Sequence, residues 1–220
     1  MYRVQKLKID VHVHTSHSDS KSSVREVIEE ARRKGLDGLA ITDHGTLRGA
    51  REALNLRHNL LIIPGEEIKT KGGDLLALGI RRAIPEGLDA VEAIDQVHEQ
   101  GGLVIVPHPT VPLFAKFKKE ELGRLHLDGL EVFSAITPFP WWYAKKNMRL
   151  AQALGLPMVA GSDSHNCKTV GDAYTMVETE KKDLDSVLRA IKEGKTEIGC
   201  NSSKLIFKIE MLFRFFRVPF

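Results

Sequence analysis

The sequence predicts an α/β chain closed into one (βα) barrel, and three observations predict it. Short aliphatic runs alternate with amphipathic stretches of helical period along most of its 220 residues. Polar residues that can bind metal recur just after those runs, in His12-Val13-His14-Thr15, Thr42-Asp43-His44, Pro107-His108-Pro109 and Gly161-Ser162-Asp163-Ser164-His165. A chain of this length fills a single barrel core. Strands that alternate with helices imply a largely parallel sheet. Chemistry gathered at the ends of the strands is what a barrel's catalytic face requires.

The elements follow in order. Ile9, Val11 and Val13 alternate with Asp10, His12 and His14, which places both histidines on one face of a first strand. Ser23-Val24-Arg25-Glu26 is a capping box, and Val24, Val27, Ile28 and Ala31 follow at helical spacing until Gly35. Residues 38–42 form a second strand that delivers Asp43 and His44, and a helix runs from about residue 46 to 54. Residues 60–63 form a buried strand ending in Pro64-Gly65-Glu66-Glu67. A Gly72-Gly73 turn leads into the short strand 74–78. Asp89 caps a helix carrying Val91, Ile94 and Val97, and strand 103–106 ends on His108. Strand 129–133, helix 141–154 stopped by Gly155, strand 158–160, strand 173–178 and helix 183–191 before Gly194 complete the pattern. Residues 1–200 form the barrel, and residues 201–220 form an apolar extension, read as a packed strand or an interface between copies of the chain.

Composition narrows the function. The hydrophobic fraction of 42% and charged fraction of 28% are those of a globular protein, and a net charge of +3 is too small to argue for nucleic acid by itself. With only Cys167 and Cys200 there is neither a disulfide framework nor a Cys-rich zinc module. No apolar signal segment opens the chain and no run is long enough to span a bilayer, so a cytoplasmic setting is the expectation.

Nine residues carry the chemistry: His12, His14, Asp19, His44, Glu67, Asp74, His108, Asp163 and His165. Two histidines at i and i+2 on a strand aim two imidazoles at one point. Imidazole with carboxylate favours zinc, manganese or iron over calcium or magnesium. Nine such groups at strand ends would be costly to bury without cations. The other candidates have ordinary readings. His58, His98 and His126 are satisfied polar residues, His17 is exposed, and Cys167 is a small half-buried side chain. Asp10 orients a ligand or serves the barrel floor. Trp141-Trp142-Tyr143 could stack a base, but it opens a helix, where aromatic residues usually pack.

Taken together, the ordered motifs resemble the PHP (polymerase and histidinol phosphatase) family, from Ile9 to about Thr175. The resemblance implies a distorted TIM-like barrel of about seven strands, two or three divalent transition metals (Mn, Zn or Fe) at its mouth, and hydrolysis of phosphoesters. It assigns His12, His14, Glu67 and Asp163 to a first metal, with Glu67 bridging to a second held by His108 and position 74. Asp19, His44 and His165 form a third site. The family places histidine at position 74, where this chain has Asp74, a harder ligand that favours manganese. Glu67 is preferred to Glu66 because the family spacing is Gly-x-Glu.

Three divalent ions against Asp19, Glu67, Asp74, Asp163 and one bridging hydroxide leave about +1, enough to draw a phosphate. Leaving-group protonation is left between Asp43 and a metal-bound water. Lys168 is preferred as the phosphate clamp over Lys21, Lys69 and Arg48. The reading is therefore a phosphoesterase for a small phosphorylated metabolite or nucleotide. The alternatives are a nuclease trimming RNA or DNA, or a non-catalytic RNA-binding barrel like the ribonuclease P subunits, ranked last because every nominated position keeps a metal-capable side chain.

Overall fold

The computed structural model describes residues 4–112 and 116–200. Its elements run β1 (Gln5–Val13), α1 (Val24–Arg33), β2 (Gly38–Ile41), α2 (Arg48–Asn55), β3 (Leu61–Lys69), β4 (Asp74–Leu78), α3 (Ala90–His98), β5 (Leu103–Val106), α4 (Lys119–Leu122), β6 (Gly129–Ser134), α5 (Pro140–Leu154), β7 (Met158–Gly161), β8 (Ala173–Thr179), α6 (Leu184–Lys192) and β9 (Thr196–Cys200). The helices begin where side-chain chemistry starts them. Ser23 and Glu26 form the reciprocal capping box of α1, and Asp183 accepts from the Ser186 amide at the start of α6. Gly155 ends α5 in the left-handed region at φ 66°, a conformation that glycine adopts without strain. Asp89 precedes α3 but makes no capping bond with its side chain.

One sheet contains all nine strands, in the order β7-β6-β5-β4-β3-β2-β1-β8-β9. It is mixed rather than largely parallel. β1, β2 and β3 run parallel, as do β5, β6 and β7, but β4 is antiparallel to both of its neighbours and β8 to both of its own. The reason is local. Four residues, 70–73, separate β3 from β4, enough for a hairpin and far too few for a crossover helix. Among the described residues nine strands form, against about seven expected, because β8 and β9, joined through α6, add an antiparallel pair at the edge.

The sheet curls until β7 meets the other end. Thr175 on β8 donates through Oγ1 to the Ala160 carbonyl and accepts from the Ala160 amide, both at 2.9 Å. Thr196 on β9 donates to the Met158 carbonyl at 2.8 Å. At the top of the seam, the Asp163 amide donates to the His12 carbonyl and the His14 amide to the Ser164 carbonyl. This seam brings the chain's first and last nominated motifs side by side.

Alternation along the strands sorts the core into an interior and an outer layer. Leu76, Leu78, Leu103, Ile105 and Ile63 point inward with Leu7, Ile9 and Val11, and α6 closes that end of the barrel with Val187, Leu188 and Ile191. Leu75, Ala77, Val104 and Val132 point outward under α3, and Leu39, Ile41 and Ile62 point outward under α1 and α2. With α6 at the bottom, the site lies at the opposite mouth.

Candidate metal centre

The backbone of β1 does not keep the simple alternation that the sequence suggests. Val11 packs with the interior cluster, whereas Val13 packs with the outer cluster. The pairing register of β1 with β2 shifts between Asp10 and Val13. A bulge here turns His12 and His14 inward while the strand below points Leu7 and Ile9 inward. Asp10 therefore does not share the histidines' surroundings. It accepts from the amides of Ser162 (2.9 Å), Gly171 (2.8 Å) and His12 (3.3 Å), tying β1 to both ends of the connection between β7 and β8. Burial pushes its carboxyl up to about 6, although those bonds favour the ionised form.

β3 runs straight through Pro64-Gly65 to Lys69 instead of stopping at residue 63. Consecutive residues on a strand face opposite ways, which separates the two glutamates. Glu67 points into the mouth. Glu66 accepts from the Ile84 amide at 2.9 Å on the other face, where burial raises its carboxyl to about 7.

Glu67 is the centre of the cluster. Its Oε2 lies 3.2 Å from His12 Nε2, 3.2 Å from His14 Nε2 and 3.5 Å from His44 Nε2, and Oε1 lies 3.7 Å from His108 Nε2. Asp163 Oδ1 stands 3.5 Å from His12 Nε2 and 3.4 Å from His14 Nε2, and its Oδ2 is 3.7 Å from His108 Nε2. His165 offers Nε2 to Asp19 at 3.1 Å, while its Nδ1 is 3.1 Å from the Asp163 carbonyl. Three sets result in which potential ligand atoms lie within 4.8 Å of one another: His12, His14, Glu67 and Asp163; His14, Asp19, His44 and His165; and His12, His108 and Glu131.

All the nominated residues except Asp74 are in these sets. The Asp74 side chain, half-buried, pairs with Lys116 at 3.6 Å and lines a small pocket with His108, Pro107, Pro109 and Phe117. Glu131 was not anticipated. It is fully buried in β6 and its Oε1 meets His12 Nδ1 at 3.1 Å, while its Oε2 has no hydrogen-bond partner among the described residues. A lone acid between Leu130 and Val132 in an aliphatic strand was the available signal, since an unpaired carboxylate does not belong in a core.

Electrostatics shows what the cluster demands. Burial opposes a charged His12, yet Asp163, Glu131 and Glu67 hold its pKa well above the ordinary histidine value. Burial likewise opposes charge on His14, which Asp163 and Glu67 raise to about 9. Burial disfavours ionised Glu67 and Asp163, but His12 and its neighbours hold both carboxyls far below the usual range. Unlike His12, His14 and His108, whose values are raised, His44 is lowered, chiefly by burial. Carboxylates packed this tightly call for cations, and bound metal would replace the protons on the histidines.

The donor set passes the test for such ions. It is all nitrogen and carboxylate oxygen, its atoms converge, and buried His44 Nδ1 and Glu131 Oε2 are left without hydrogen bonds among the described residues. His108 and Asp163 both adopt the left-handed region, at φ 54° and 53°. Such strain costs about 1–3 kcal/mol per residue and collects at functional sites.

Asp43 is buried beside the cluster but outside it. Its carboxylate accepts from the Thr15 amide (2.6 Å), the Thr15 hydroxyl (2.7 Å) and the Ser18 hydroxyl (2.8 Å), clamping the loop between His14 and Asp19. Lys168 is exposed on a short 3-10 turn, and its carbonyl accepts from Lys34 Nζ. Lys21, Lys69 and Arg48 are exposed as well. His17 pairs with Glu52 at 2.7 Å and His98 with Asp128 at 2.7 Å, outside the cluster. Trp141 and Trp142 do not pack as expected but are exposed. The apolar extension at 201–220 lies outside the described residues.

Comparison with known proteins bears on the family and the fold. The profile described as PHP domain matches residues 10–106, and one described as PHP-associated matches residues 143–196. The uncharacterized protein MJ1587 of Methanocaldococcus jannaschii is 37% identical over 142 residues, covering 59% of this chain and 82% of its own. A phosphoribosyl 1,2-cyclic phosphate 1,2-diphosphodiesterase of Eggerthella lenta is 31% identical over 91 residues, 39% of this chain and 34% of that enzyme. A two-domain protein from Bacteroides vulgatus, described as containing a predicted PHP-like metal-dependent phosphoesterase, superposes with a TM-score of 0.71 at 23% identity, over 90% of this chain and 66% of that one. No helix among the described residues is long and apolar enough to cross a membrane.

Proposed function

Because the chain belongs to the PHP domain family, whose members are metal-dependent phosphoesterases, we propose that it hydrolyses a phosphate ester of a small metabolite or nucleotide. The observation that carries this reading is the convergence of four imidazole Nε2 atoms on Glu67, closed by Asp163 from the other side of the barrel seam. A binding barrel has no use for so costly a cluster.

His12, His14, Glu67 and Asp163 would hold a first ion, and Asp19, His44 and His165, with His14 beside them, another. Glu67 and His108 would hold a further ion, with Asp74 facing that position across the small pocket. The bound metals supply a nucleophile at neutral pH, orient the phosphoryl oxygens and offset the charge of the transition state.

The chain's own residues prepare that chemistry. Glu131 would accept a hydrogen bond from His12 Nδ1–H, which leaves the Nε2 lone pair aimed at the cluster. The Asp163 carbonyl does the same for His165 through Nδ1. Asp43, with its oxygens already engaged by Thr15 and Ser18, holds the loop that positions Asp19. Protonation of the leaving group by Asp43 would first require those bonds to break. Glu131 brings to the cluster the negative charge that was counted for Asp74, so the balance of about +1 with three ions is unchanged. Lys168 and the neighbouring exposed cations meet the phosphate at the rim.

The deciding experiment loads metal-stripped protein with Mn2+, Zn2+ or Fe2+ and offers a panel of phosphomonoesters, nucleotides and cyclic phosphodiesters. We expect bound metal at two to three ions per chain and turnover that a chelator abolishes. Activity indifferent to chelation, with no metal by elemental analysis, would overturn the proposal.

A further inference from the structure

Three aromatic rings stand out in solvent at the mouth of the barrel. Phe139 is 80% exposed, Trp141 63% and Trp142 54%. They occupy the turn from β6 into α5, and Phe139 is held between Pro138 and Pro140 in the left-handed region at φ 52°. A bulky side chain rarely adopts that backbone conformation, and here the strain serves no packing, because the ring points away from the core. Trp141 is fixed from beneath by the buried Phe133, edge to face at 5.0 Å.

The helix behind the turn adds charge of one sign. α5 carries Lys145, Lys146 and Arg149, all exposed, and no acidic residue in its 15 positions. Lys146 Nζ lies 3.5 Å from the centre of the Trp142 ring. No ion pair among the described residues neutralises any of the three.

The ridge borders the candidate metal centre. β6 and β7 run parallel with Ser134 beside Gly161, and the Ala135 amide donates to the Gly161 carbonyl at 3.2 Å. From Gly161 the chain turns directly to Asp163 and His165. The aromatic turn and the loop with two nominated ligands thus leave the barrel side by side.

We propose that this ridge binds an unpaired stretch of nucleic acid, with bases stacked on Phe139 and Trp141 and phosphates against Lys145, Lys146 and Arg149. Exposed rings alone would suit a protein partner, and cations alone would suit any polyanion. Rings and uncompensated cations together match a strand that offers flat bases and a charged backbone in repetition. The delivery of a phosphodiester to the neighbouring centre rests on the phosphoesterase reading; the binding itself does not.

Trp141 and Trp142 are the chain's only tryptophans, so intrinsic fluorescence reports on the ridge. The full chain, stripped of metal by chelation, is titrated with short oligothymidylate, with inorganic polyphosphate and with a DNA duplex. We expect saturable quenching by oligothymidylate that weakens as salt rises, with clearly weaker binding of the duplex and of polyphosphate. Anisotropy of a labelled oligothymidylate should show Phe139→Ala and Trp141→Ala weakening binding about fivefold or more each. Lys145→Glu with Arg149→Glu should abolish it.

Absence of quenching overturns the proposal, as does equal affinity for polyphosphate, which would reduce the ridge to simple charge. Unchanged binding by Phe139→Ala and Trp141→Ala, each folded by its melting curve, would leave the rings to a protein partner and overturn it too. Metal is absent throughout, so a negative result leaves the phosphoesterase reading standing. Binding without any chelator-sensitive hydrolysis would do the reverse.

Discussion

Replacing Glu131 with glutamine should separate the stability of the protein from its affinity for metal. Both Glu131 and His12 are fully buried, and the 3.1 Å contact between Oε1 and Nδ1 is shielded from solvent. A hydrogen bond to a charged acceptor in such a place contributes about 1.5–3 kcal/mol. Loss of a carboxylate behind a metal-binding histidine typically weakens metal affinity about 10- to 100-fold, or about 1.4–2.7 kcal/mol. The two figures agree.

Without metal the sign reverses. Burial raises the Glu131 carboxyl, only partly offset by His12, and Asp163 adds like-charge repulsion. Glutamine removes that strain and keeps the shape, so the metal-free variant should melt no lower than the parent protein. The assay is calorimetric titration of stripped protein with Mn2+, beside melting curves with and without the ion. An unchanged Kd would refute the role assigned to Glu131. A metal-free Tm several degrees lower, with the Kd intact, would mark it as an ordinary core residue.

His12→Ala and Asp163→Ala should each remove most turnover, because each would open the proposed coordination shell that shares Glu67, and a melting curve beside the hydrolysis assay separates that from unfolding. Asp74→His should shift metal preference from manganese toward zinc and remove the Lys116 pairing; if both proteins rank the metals identically, Asp74 is no ligand. Asp128→Asn tests stability away from the site. Asp128 accepts from the Val104 amide (2.9 Å), His98 (2.7 Å) and Lys192 (3.0 Å). Burial works against its charge, but those three partners hold its pKa below the ordinary 3.8. The ionised carboxylate therefore stabilises the fold above about pH 4, and that contribution is lost as pH falls through the lowered pKa. The variant should lose about 1–3 kcal/mol at neutral pH and less on acidification, measured by denaturant melts at several pH values. An equal loss at every pH would exclude the ionic contribution.

The elements were legible where chemistry is local. The Ser23–Glu26 capping box and the Gly155 stop state their structure within a few residues, and both formed as read. The motifs around His12, His44, His108 and Asp163 were equally legible, because the side chains that bind ions are few and their placement after strands is periodic. Other features depended on segments far apart in the chain. The antiparallel placement of β4 and β8, the bulge in β1 and the passage of β3 through Pro64-Gly65 follow from strand pairing rather than from propensity. Exposure of Trp141 and Trp142 was misjudged, since a helix start reveals nothing of which neighbour covers it.

By itself, then, the sequence determined the element types and the family, and it named eight of the nine residues that the fold gathers into the candidate cluster, all of which depend on residue identity and short-range spacing. Tertiary structure alone decided where Glu66 goes, that Glu131 stands behind His12 while Asp74 turns to Lys116, and that Asp43 clamps a loop. The physical reason is direction. A carboxylate's role depends on which way a strand's pleat aims it and on what the closed barrel sets opposite, and Glu131 lies 119 residues from the histidine it touches.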